Sequence, residues 1–116
     1  MPEVHVECRL APGSLDRVTG TLNVQVVDVS RADAPSIVVA QWVGERAEMS
    51  AQTPVRCAMQ VRPPASQATY AVQAHLDRDG SGETSVGDYR TMAHIPLTQT
   101  ALQNGPVVEL ALREVR

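Results

Sequence analysis

Alternation is the feature that most limits what this chain can become. Val4, Val6, Cys8 and Leu10 are apolar, and His5, Glu7 and Arg9 stand between them. The same two-residue period returns at Val18, Gly20, Leu22, Val24 and Val26, and again at Val55, Cys57, Met59 and Val61. It recurs at Tyr70, Val72, Ala74 and Leu76, and at Val108, Leu110 and Leu112. Successive side chains of an extended chain point to opposite faces, so this period builds half-buried strands and denies a helix its apolar stripe. The kind of apolar residue agrees. Val dominates, Phe is absent, and Trp42, Tyr70 and Tyr89 are the only aromatics. Val is stiff at its first torsion and packs well on a pleated surface.

Gly and Pro, spread along the chain, punctuate these runs as turns between short strands require. Strands are expected over residues 3–10, 18–29, 37–43, 53–61, 70–76, 89–95 and 107–115. The run from Ile37 to Val43 is almost continuously apolar and reads as a strand buried on both faces or against a loop. Residues 44–52 are ambiguous: Glu45 to Met49 would make one helical turn, though nothing caps it. Pro54 belongs at a strand start, where no ladder donor is lost. The chain of 116 residues is long enough for one core and leaves little room for a second. Residues 1–116 therefore read as a single all-β domain, a β-sandwich of about seven or eight mainly antiparallel strands.

Charge excludes some partners. The net charge is −3, every basic residue is an Arg, and the arginines are scattered. A phosphate backbone needs clustered positive charge, so nucleic acid is not an expected partner. No stretch approaches the length of a membrane span. The first residues alternate and carry neither the basic start nor the apolar centre of a secretory signal. On that reading the chain is cytoplasmic if it is the full gene product, or a mature domain whose signal has been removed.

Cys8 and Cys57 each sit in an alternating run and should face the core as buried thiols; a disulfide between two strands is the other reading. His5, His75 and His94 fall opposite their strands' apolar residues and read as exposed. A spatial triad is not visible to sequence, but no G-x-S-x-G nucleophile motif occurs, and the glycines near residue 80 stand among acids that would repel phosphate. Glu45 and Glu48 read as a solvated link. Trp42 reads as core, or as a strand-end anchor for a partner.

One segment carries chemistry. Residues 77–88 read Asp-Arg-Asp-Gly-Ser-Gly-Glu-Thr-Ser-Val-Gly-Asp. Numbered as a twelve-residue calcium loop, it places Asp77, Asp79, Ser81, Ser85 and Asp88 at positions 1, 3, 5, 9 and 12, and Gly82 at the sharp turn of position 6. Glu83 at position 7 would give its backbone carbonyl, and Ser85 would act directly or through water. Calcium takes six to eight hard oxygens, and this spacing wraps them around one point. Position 12 is the shorter Asp88 instead of Glu, and the flanks are strands instead of helices. A calcium ion pinning a β-hairpin is expected; the bland alternative is an acidic, Gly-rich hairpin tip.

Several segments resemble a family of small bacterial envelope lipoproteins. They are Gly20-Thr21 leading into residues 22–29, then Asp28-Val29-Ser30-Arg31-Ala32-Asp33-Ala34-Pro35, Val38-Val39-Ala40, and Tyr70-Ala71-Val72-Gln73-Ala74-His75-Leu76-Asp77 with the closing apolar strand. The family includes the YbaY-type lipoproteins and the YscW-type pilotins of type III secretion. The resemblance covers most of residues 18–115 and rests on structural patterns. It implies a small β-sandwich in the cell envelope or periplasm, no catalysis, and in the pilotin branch a chaperone role in placing a secretin in the outer membrane. The acidic loop stands where simpler members have a short turn.

The expectation is thus a non-enzymatic, calcium-stabilised binding or assembly module. A small enzyme with an unrecognised surface site and a purely structural calcium-binding domain are the alternatives. A protein partner would join by strand-edge pairing. The first strand, with Glu3, His5, Glu7 and Arg9 outward, is the candidate edge.

Overall fold

The computed structural model describes residues 3–13, 17–30, 37–62, 69–78, 80, 87–91, 95–97 and 107–115. They form eight strands: β1 Glu3–Leu10, β2 Arg17–Asp28, β3 Ile37–Ser50, β4 Val55–Gln60, β5 Tyr70–Asp77, β6 Tyr89–Arg90, β7 Ile95–Leu97 and β8 Val107–Glu114. The strand order is β3-β2-β5-β6-β8-β1-β4, with β7 also on β5. The all-β class and the eight-strand count agree with the sequence reading. The two packed layers are one continuous sheet. It bends where the end of β8 leaves β1 and pairs with β6 through Tyr89↔Glu114 and Arg90↔Arg113. The result is a nearly closed barrel. Pairing is antiparallel except for β1 with β8, which runs parallel from His5↔Val107 to Leu10↔Leu112.

Alternation places the core. Val4, Val6, Cys8 and Leu10 of β1 are all within 1% of full burial, and Leu22, Val24, Val72, Leu76 and Leu112 are fully buried. At about 1.5–3 kcal/mol for each such side chain, these rows carry most of what holds the sheet closed.

Three expectations change. β1 is not an edge: it pairs with β4 on one side and β8 on the other, and the ends of the order are β3 and β4. A polar outer row marks a strand as solvent-facing on one side but says nothing of its neighbours. β3 is not doubly buried, for Ile37, Val38 and Val43 are 65%, 47% and 50% exposed. Residues 44–50 continue β3 instead of forming a helical turn. Opposite Gly20 and Leu22 of β2 stand Ala47 and Gly44 of β3, so β3 holds one extra residue there. This is a β-bulge, with Arg46 in left-handed backbone at φ 55. It shifts the phase by one residue, so Trp42 and Gly44 face inward and then Ala47 and Met49 do. The broken alternation is what imitated a helix.

The expected strand over 89–95 is split into β6 and β7. Between them Thr91 gives its backbone N–H to Ala74 O at 3.0 Å and receives the Ala74 N–H on Oγ1 at 3.2 Å. A side chain thus stands in for one rung of the ladder.

Candidate functional site

The acidic loop leaves the sheet between β5 and β6. His75↔Arg90 and Leu76↔Tyr89 are paired, so the two strands bring Asp77 and Asp88 to one place. Both acids are buried, Asp77 at 8% and Asp88 at 1% exposure. Burial of a carboxylate is tolerated only with donors around it. Asp88 Oδ1 accepts the Arg78 backbone N–H at 2.9 Å, and its Oδ2 lies 3.0 Å from His75 Nε2. Asp77 Oδ1 accepts the Gly80 N–H at 3.1 Å, and the Arg78 guanidinium donates to Gly87 O at 3.2 Å. Gly80 and Gly87 both take positive φ, 74° and 94°, which only glycine does without strain. Gly20 of β2 lies against this base: a Cβ there would stand 2.4 Å from the Asp77 carbonyl oxygen. Asp88 also ties the loop to the end of the chain, since its carbonyl accepts the Val115 N–H at 2.7 Å and Gly87 N donates to Val115 O at 2.9 Å.

Of the six residues expected as calcium ligands, the structure brings Asp77 and Asp88 together. Asp79, Ser81, Glu83 and Ser85 lie outside the described residues. His75 differs from its expected role. It is half-buried and paired with Asp88, where alternation alone made it an exposed strand residue. The signal was available: a strand residue facing outward beside the mouth of an acidic loop meets the loop's last acid. His5 is exposed and paired with Glu3 at 2.9 Å. His94 lies outside the described residues.

A second feature sits on β1 and β4. His5, Val6, Glu7, Arg56, Cys57 and Val107 line a hollow of about 250 Å³. The Arg56 guanidinium, hydrogen-bonded to Glu7 Oε2 at 3.1 Å, and then Arg9 hold the Glu7 carboxyl below its ordinary range. Burial pushes the Cys57 thiol up to about 11. A thiol raised in this way stays protonated at neutral pH and is a poor nucleophile. The hollow thus holds a carboxylate paired with arginines and a thiol that burial keeps protonated.

A family model described as "Type III secretion system lipoprotein chaperone (YscW)" matches residues 11–93, most of the chain. The chain belongs to the YscW family. The matched span runs from the turn after β1 to residues just past β6, so it contains β2 to β6 and the acidic loop. No curated protein sequence matches the chain. Among solved structures, an alternative pilotin from the type II secretion system of Vibrio cholerae superposes with a TM-score of 0.70. The two are 21% identical, with 98% of this chain and 96% of the pilotin covered, so this second likeness speaks to the fold. The fold shared with that pilotin covers β1 and β8 as well, which lie outside the span matched by the family model.

Proposed function

We propose that this YscW-family protein is a non-enzymatic assembly chaperone of the pilotin kind, working in the cell envelope on a secretin subunit. The family match over residues 11–93 carries this reading. The local chemistry supports it. Glu7, His75, Asp77 and Asp88 are engaged in ion pairs or hydrogen bonds, and burial raises both thiols, so neither Cys8 nor Cys57 is poised as a nucleophile. The test is deletion of the gene with the secretin followed in membrane fractions. Secretin multimers should fall in amount or appear in the inner membrane, and the protein should co-purify with the secretin subunit. Unchanged multimers together with no co-purification would defeat the reading.

We propose further that residues 77–88 take a calcium ion that stabilises the domain. Asp77 and Asp88, the first and last positions of the loop, already stand side by side with carboxylates aimed by backbone amides. Binding to Asp88 would draw that carboxylate from His75 or share it. An ion at 100-fold excess over Kd adds about 2.7 kcal/mol to the folded state. Millimolar calcium should then raise the Tm by several degrees, and Asp77→Ala should remove most of that gain. Magnesium should do less, because it demands a tight octahedral shell. The same melting curve in calcium and in chelator would leave residues 77–88 as a hairpin without an ion.

A further inference from the structure

Among the described residues, β4 is held by one neighbour. Six residue pairs, from Glu3↔Gln60 to Cys8↔Val55, join it to β1. β1 is fixed on its other side as well, where six further pairs bind it to β8. Any shear between β1 and β4 therefore falls on β4. The two cysteines sit across this ladder. Cys8 faces Val55 and Cys57 faces Val6, so both turn to the core side and stand one diagonal apart. Both are free thiols. Cys8 is fully buried, whereas Cys57 is partly open and lines the hollow on β1 and β4.

Diagonal neighbours in an antiparallel pair lie roughly 7–8 Å apart. A disulfide needs its Cα atoms within about 6.8 Å, so this register holds the two thiols just out of reach. Sliding β4 along β1 toward Leu10 closes the gap. A step of two residues would set Cys57 opposite Cys8 and leave every side chain on its present face. Part of that step, on the order of 3 Å, is enough. The slide is opposed on the outer face. Arg56 stands opposite Glu7 and donates to its Oε2 at 3.1 Å. Moving with β4, its guanidinium leaves Glu7 and approaches Arg9, so a like charge replaces an opposite one. The slide is opposed again at the turn after β3, where Ser50 N donates to Thr53 O at 3.2 Å and Ser50 Oγ accepts the Thr53 N–H at 3.0 Å. A bond formed against these contacts is strained, and strained disulfides are the readily reduced ones.

We infer that Cys8 and Cys57 form a reversible redox switch: oxidation bridges them and drags the end strand β4 along β1, and reduction lets it return. The oxidant is a disulfide, and Cys57, at the hollow, is the sulfur it reaches first. The Cys57 thiolate attacks one sulfur of that disulfide. The other sulfur leaves as a thiolate, and a mixed disulfide remains. The Cys8 thiolate then attacks Cys57 Sγ and expels the oxidant's second sulfur. The chain gives up two protons and two electrons, and the oxidant becomes two thiols. The switch stands independently of the chaperone reading and of the calcium ion.

The test is a redox titration of the full chain. The reduced protein is equilibrated in buffers of stepped glutathione to glutathione disulfide ratio. Burial keeps both thiols protonated, so the buffers are set above neutral pH for exchange to complete. Remaining thiols are alkylated under denaturing conditions and counted by intact mass. The expected product is a monomer that loses two hydrogens in one reversible transition. Arg56→Gln removes a contact that holds the reduced register, so it should favour the bridge about two- to fivefold, the worth of an exposed ion pair. Arg17→Gln, which removes the Arg17–Glu48 pair between β2 and β3, should leave the transition where it is. Hydrogen exchange reads the slide directly: in the bridged form the amides of β4 should lose protection while those of β8 keep theirs. A bridge with β4 protection unaltered and no difference between the two variants would overturn the slide, and the inference with it. Thiols that stay unpaired, a glutathione adduct on Cys57 alone, or bridges only between chains would overturn it too.

Discussion

Cys8 and Cys57 show how far one residue's fate can be read from its neighbours. Alternation turns both inward, and both are free thiols on the core side of adjacent strands. The register Val6↔Cys57 and Cys8↔Val55 places them diagonally instead of face to face. Alternation does not reveal that Cys57 lies on an end strand, so it is only partly covered while Cys8 is fully buried. Burial pushes Cys8 up to about 12, with the Cys57 charge adding to the shift, and Cys57 up to about 11, from 9.0 for a free thiol. A raised thiol favours the folded state while both states are protonated. That contribution is full below pH 9 and is lost as pH climbs through 11 and 12, because the unfolded chain gives up its protons first. Chemical unfolding at stepped pH should therefore show stability falling above pH 9, and falling less steeply in a Cys8→Ala/Cys57→Ala double variant. A thiol reagent should leave both residues unlabelled in the native protein at neutral pH. As the pH rises it should reach Cys57 before Cys8. Equal slopes in wild type and double variant would show that other groups set the alkaline limit.

Elements were legible wherever a single period ran unbroken. β1 and β5 were located within a residue of their ends because Val4 to Leu10 and Tyr70 to Leu76 never miss a step. β3 was misread where the bulge shifts the phase, since a sequence that skips one residue between inward positions satisfies neither the strand period nor the helix period. Asp77 and Asp88 were legible as a pair because a loop motif fixes their spacing. The His75–Asp88 contact emerges only when the outward face of β5 and the loop motif are read together, because it joins a strand to a loop end. Arg46 makes the bulge testable. At φ 55 it occupies a backbone region that L side chains enter at a cost of roughly 1–2 kcal/mol. Arg46→Gly should relieve that strain and stabilise the fold by about 0.5–1 kcal/mol, the remainder being offset by the freer unfolded chain. Arg46→Val, β-branched at the same φ, should destabilise it. Urea unfolding with unchanged m-values is the measurement, and a stable Val variant would mean that the bulge can move along β3.

Topology lies at the scale of the whole molecule, and there the sequence is nearly silent. Periodicity states that β1 and β8 each have one apolar face. It does not state that they lie side by side, and nothing local to either strand requires the first and last strands of the chain to run parallel. That pairing is what makes the domain a unit. β8 holds β1 along its length, pairs with β6 at its far end, and bonds the base of the acidic loop through Val115. Its inward row, Val108, Leu110 and Leu112, is 8%, 2% and 0% exposed. At about 1.5–3 kcal/mol for each buried side chain, losing this row removes stability comparable to the 5–15 kcal/mol that holds an ordinary domain folded. It also bares the backbone of β1 on one side. A chain ending at residue 106 should therefore lose its cooperative melting transition altogether, although the match to the YscW family lies wholly within what remains. Leu110→Ala, which leaves the ladder whole, should instead keep a cooperative transition at a cost of about 2–5 kcal/mol. Calorimetry on the two proteins separates the cases. A sharp transition in the truncated chain would mean that β2, β3 and β5 fold on their own, and that closure of the barrel by its two terminal strands is an addition to the fold and not its foundation.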